Sequence, residues 1–65
     1  MTKEGFRMRW EESKHDGIGM SIEEVAKYGK EWGVLKFPGK YTVKQILYAV
    51  LTAAELDSEA EKHAP

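Results

Sequence analysis

Two arginines, Arg7 and Arg9, stand one residue apart in the run Gly5-Phe6-Arg7-Met8-Arg9-Trp10. They are the side chains best suited to act on a partner, because a guanidinium fork donates two parallel hydrogen bonds to a phosphate, a carboxylate or the acceptor edge of a guanine. The run alternates strictly, with Phe6, Met8 and Trp10 on one side and the arginines on the other, and period two predicts a half-buried strand. A two-stranded ribbon of that kind fits the major groove, with Lys3 beside it. The plainer reading makes the arginines the wet side of an amphipathic strand, and periodicity alone does not separate the two.

Other candidate chemistry is thinner. His15-Asp16 pairs an imidazole with a carboxylate, but adjacent residues in a turn seldom aim at one target, and no serine or cysteine nucleophile is set on a recognisable elbow. Gly17-Ile18-Gly19 lacks the preceding strand and the third glycine of a dinucleotide loop. His63 falls in a polar tail. With two histidines, no cysteine and no clustered carboxylate pattern, neither a thiolate zinc site nor a structural metal is expected. The expectation is a chain without cofactor that is not an enzyme.

The elements that would position these residues follow from capping signals. Ser21-Ile22-Glu23-Glu24 has the form of a capping box and starts a helix that Gly33 can end in the left-handed conformation. Gly29 inside it costs about 1 kcal/mol relative to alanine, so either the backbone packs closely there or the helix is weak. Thr42-Val43-Lys44-Gln45 is a second capping box. After it Val43, Ile46, Leu47, Val50, Leu51 and Ala54 form an apolar stripe at helical spacing, the strongest pattern in the chain. Residues 11–19 read as a loop. Residues 33–37 read as a second short strand or an extended connector, closed by Pro38-Gly39. The predicted fold class is therefore α+β: a short N-terminal strand followed by two helices, with a possible strand at 33–37 between them.

Sixty-five residues with a formal charge of −1 make one small domain, in which residues 1–4 and 57–65 are expected to be flexible. A chain this short needs reinforcement, and without disulfides or metal that leaves packing or oligomerisation. A homodimer is the expectation. The longest apolar run, Ile46 to Leu51, is too short to span a bilayer, and the first residues lack the apolar stretch of a signal peptide. No membrane is expected, and a cytoplasmic location is the default.

Phe6-Arg7-Met8-Arg9-Trp10 resembles the strand of the ribbon-helix-helix repressors of the Arc and MetJ type. Gly39-Lys40 followed by Gln45-Ile46-Leu47 and Val50-Leu51 is similar to the second helix of that family. The resemblance covers two pieces, and the stretch between Trp10 and Gly39 is longer than in the family. It implies a homodimeric DNA-binding transcriptional regulator in which Gly5, Arg7 and Arg9 read bases. The amide end of the second helix, near Tyr41 and Thr42, would then meet a phosphate, with Lys3, Lys40 and Lys44 neutralising others. Residues 21–51 also look like helix-extension-helix modules of the SAP type, although the second helix is basic only at Lys44. The alternative function is a protein-protein interaction module, a small inhibitor or adaptor of phage or mobile-element type. It would use exposed aromatics and the second helix, with Tyr48, off the aliphatic stripe, turned toward a partner.

Overall fold

The computed structural model describes residues 2–64, and among them there are four helices and no strand: α1 (Lys3–Asp16), α2 (Ile22–Glu31), α3 (Val43–Ala53) and α4 (Asp57–Glu61). The α+β expectation is overturned. What replaces the N-terminal strand is the longest helix in the molecule.

Period two was the wrong period for residues 5–10. Phe6 and Trp10 are four residues apart, and in a helix they share a face with Ser13 while Met8 points away. Phe6 is fully buried, Ser13 is buried, Trp10 is partly covered and Met8 is 63% exposed. The helix is properly ended, since the Thr2 hydroxyl accepts from the Gly5 N–H and Gly17 takes a left-handed C-terminal conformation at φ 72°. Residues 11–16, expected as loop, are the second half of this helix. The Phe6 ring stands edge-on to Tyr28 and Trp32, with centroids 5.0 and 5.4 Å away, and stacks near Trp10 at 6.1 Å. An aromatic cluster therefore fixes α1 to α2.

Helices α2 and α3 are where the capping signals placed them. The Ser21 hydroxyl accepts from the Glu24 N–H, while at α3 both halves of the box form, between Thr42 and Gln45. Helix α2 ends in a Schellman arrangement: Gly33 sits at φ 74°, its N–H donates to Lys30 O and the Val34 N–H donates to Gly29 O. The segment at 33–37, open between a short strand and an extended connector, forms no strand: it begins with this helix exit, after which Leu35 turns inward to 4% exposure.

Gly29 is the close approach between α2 and its surroundings. A Cβ there would lie 2.4 Å from Leu35 Cδ1 and 2.9 Å from Val50 Cγ2. Around that contact the core gathers Phe6, Val25, Leu35, Ile46, Val50, Leu51, Ala54 and Ala60. The α3 stripe is thus covered within one chain, except for Val43, which is 55% exposed. The case for a second subunit as the cover of that stripe falls away, as does the intertwined ribbon, which needed a strand.

Within the ends expected to be flexible, 1–4 and 57–65, the described residues include parts of two helices. Thr2 caps α1, Lys3 and Glu4 lie in its first turn, and residues 57–61 form α4, whose Ala60 is buried; residues 1 and 65 lie outside the described range. A second Schellman arrangement joins α3 to α4, with Glu55 at φ 63° and the Leu56 N–H donating to Leu51 O at 2.9 Å. Lys14 Nζ donates to the Glu59 carboxylate and ties α1 to α4.

Two outcomes follow from this packing. Gly29→Ala gains helix propensity of about 1 kcal/mol but overpacks a filled site at a cost of about 1–3 kcal/mol, so its thermal midpoint should fall; a midpoint equal to or above wild type would refute the close packing. The Lys14 hydrogen bond holds the Glu59 carboxyl below its ordinary range, and the same bond raises Lys14. The pair stabilises the fold above the usual carboxylate range and loses that contribution as pH falls through the lowered Glu59 value. On the alkaline side it is present below the ordinary lysine value and is lost as pH rises through the raised one. The gap in thermal midpoint between wild type and Glu59→Gln should therefore be widest near neutrality and close at both extremes.

Candidate functional site

The DNA-site residues drawn from the sequence divide into two groups that the fold keeps on different elements. Lys3, Gly5, Arg7 and Arg9 lie on α1, not on a ribbon. Arg7 Nη1 donates to Ala54 O and to Glu55 Oε2, each at 3.1 Å, so this arginine caps the C-terminal end of α3. Arg9 leans the other way and lies 3.6 Å from Glu24 Oε2 on α2. Two residues apart on a helix they diverge by about half a turn, flank the Phe6–Trp10 seam, and bind α1 to the rest of the molecule. The ribbon that would set Arg7 and Arg9 side by side is absent among the described residues, and the two arginines meet different neighbours.

Lys40, Tyr41, Thr42 and Lys44, by contrast, are brought together on the link and the first turn of α3, and all four are exposed. The link is closely built. The Lys36 N–H donates to Tyr41 Oη at 3.0 Å, and the same hydroxyl lies 3.3 Å from Lys36 O. Phe37 packs edge-on against the Tyr41 ring with centroids 5.7 Å apart. Gly39 is required at the bend, because a Cβ would come within 2.5 Å of Lys36 O and 3.2 Å of Tyr41 Cε2. Two aromatic rings that face solvent are thus held by the backbone rather than left to wander.

From Tyr41 the surface continues along the outer side of α3. A groove of about 250 Å³ is lined by Thr42, Lys44, Gln45, Tyr48 and His63, the last from the turn after α4. Tyr48, off the aliphatic stripe, is 39% exposed and forms one wall. A larger hollow of about 440 Å³ runs past Glu24, Lys27, Tyr28 and Glu31, all on α2. It has mixed charge, its Glu24 faces Arg9, and Tyr28 and Glu31 are engaged elsewhere.

The electrostatics of the two halves differ. Between positions 32 and 54 there are three lysines, Lys36, Lys40 and Lys44, and no carboxylate, in a chain whose formal charge is −1. Each of these lysines is exposed, and none has an ion-pair partner among the described residues. This acid-free stretch was legible in the sequence. Lys36, Phe37, Gln45 and His63 were not chosen as site residues, and only the fold brings them beside Tyr41 and Tyr48.

The remaining chemical candidates stay apart. His15 lies in the last turn of α1 and Asp16 ends it, both exposed. Among the described residues no three His, Asp or Glu side chains gather as metal ligands, and no helix is long and apolar enough to cross a membrane. Trp10 Nε1 is buried without a hydrogen-bond partner, but it belongs to the aromatic seam under α1. Comparison with protein-family models, curated proteins and solved structures finds no match.

The structural role of Arg7 can be measured against its neighbour. Arg7→Ala removes a charged donor from the carbonyl of buried Ala54 and should cost about 1–2 kcal/mol in urea unfolding, whereas Arg9→Ala gives up an exposed, longer pair worth at most about 0.5 kcal/mol. Equal losses would reject the capping role.

Proposed function

We propose that this chain is a protein-binding module whose docking surface is the link and the outer face of α3, centred on Phe37, Tyr41 and Tyr48. The observation that carries the reading is the distribution of exposed large apolar side chains. Among the described residues seven are exposed, and five of them, Val34, Phe37, Tyr41, Val43 and Tyr48, fall between positions 34 and 48. Scattered exposed apolar residues need no explanation, but a concentration rimmed by polar groups marks a docking surface. Tyrosine and phenylalanine held in fixed positions bury a large area at small entropic cost, which suits the centre of an interface. A cytoplasmic setting goes with this reading.

A nucleic-acid partner is the second reading, favoured by Lys36, Lys40 and Lys44 interleaved with aromatics on which bases could stack. It differs from the regulator expected from the sequence, because Arg7 and Arg9 are committed to internal contacts and take no part.

The test is site-specific photocrosslinking in extract of the source organism. A benzophenone amino acid at Tyr48 or Phe37 should yield a discrete protein adduct, and the same probe at Lys27 on α2 should not. Absence of a protein adduct, or adducts of equal yield from all three positions, would overturn the protein-docking reading. If the Tyr48 probe labels nucleic acid instead, and retention on duplex DNA falls steeply with salt, the second reading replaces it.

A further inference from the structure

We infer that the segment docking on this surface is acidic, with one apolar side chain seated in the groove beside Tyr48 and carboxylates on either side of it that meet Lys40, Lys44 and Lys36. The inference rests on the protein-docking reading and names the partner's chemistry.

Charge complementarity is the first ground. Elsewhere Arg7 pairs with Glu55, Arg9 with Glu24, and Lys14 and Lys62 with Glu59, while Lys3, Lys27 and Lys30 have acidic residues within four positions of them in the sequence. Lys36, Lys40 and Lys44 have no such match, and no carboxylate lies between positions 32 and 54 to supply one. The positive end of α3 adds to the same field. Helices α1, α2 and α4 carry acidic residues in their first turns, whereas α3 carries none. The surface thus offers uncompensated positive charge around exposed rings, a pattern that steers and orients an acidic segment.

Shape is the second ground, and it limits the occupant. The groove of about 250 Å³ is walled on the α3 side by Thr42, Lys44, Gln45 and Tyr48 and on the other by His63. That leaves room for a single inserted side chain and not for a whole helix. A short acidic segment can seat that side chain and place its charges on the lysine side. A groove sized for one side chain suits the anchor of a peptide.

The experiment uses the full chain and a fluorescein-labelled peptide of repeated Leu-Glu-Glu units, followed by fluorescence anisotropy at low salt. Saturable binding is expected. It should weaken by about tenfold or more for a Leu-Gln-Gln peptide, for a Gly-Glu-Glu peptide, and in the Lys40→Glu/Lys44→Glu variant. Lys27→Glu, on α2, should bind as wild type does, and circular dichroism must show both variants folded. Equal binding of the Leu-Gln-Gln peptide would remove the charge argument, and equal binding of the Gly-Glu-Glu peptide would remove the apolar anchor. Either result, or no saturable binding at all, overturns the inference. So would efficient displacement of the peptide by duplex DNA, or sedimentation showing that a second copy of the chain covers the surface. If the peptides fail while Tyr48 still gives a protein adduct, docking stands and only the acidic assignment falls; if both fail, both fall.

Discussion

The packing of Gly29 against Leu35 and Val50 is the contact on which the arrangement of the surface depends. With no side chain at position 29, the α2 backbone can lie against Val50 of α3, and Leu35 folds back into the space that remains. Burying Leu35 pins the start of the link one residue before Lys36. Everything from Lys36 to Tyr41 then has to leave the core and return to the start of α3 within a few residues. The bend at Gly39 and the hydrogen bonds between Tyr41 and Lys36 make that possible. The exposed rings of Phe37 and Tyr41 therefore owe their position in part to a glycine on α2.

The N-terminal helix closes the same core from outside. Its single fully buried side chain, Phe6, enters between Tyr28 and Trp32, and its polar contacts are spread over three neighbours: Arg7 on the α3 end, Arg9 on α2 and Lys14 on α4. Aromatic packing supplies most of the hold, since exposed ion pairs contribute little each. The arginines that look most like a recognition device in the sequence are thereby turned into attachments. A short chain without disulfides has to take reinforcement from such contacts.

With Arg7, Arg9 and Lys14 of α1 paired within the chain, the stretch that holds lysines and no carboxylate is the link and α3. Exposed apolar area lies there too. The coincidence of the two distinguishes this surface from the polar hollow along α2, where acidic and basic side chains alternate on a single helix. Rigid rings and free lysines together make a surface that selects by shape and by sign of charge.

Local signals in the sequence sufficed where the chain's structure is locally determined. The capping boxes at Ser21 and Thr42, the left-handed glycine at position 33 and the aliphatic stripe from Ile46 to Ala54 fixed α2 and α3, because caps and helical periodicity are satisfied within a few residues. The state of residues 5–16 was not decided locally. Phe6, Met8 and Trp10 alternate as a strand would, while Phe6, Trp10 and Ser13 also fit a helix, and only contact with Tyr28 and Trp32 selects the second pattern and leaves Met8 in solvent. Likewise the sequence alone determined that positions 32–54 hold lysines without carboxylates. Which of its side chains stay exposed, and that His63 closes a groove beside Tyr48, was decided by tertiary structure, since both depend on residues far apart in the chain meeting across the core.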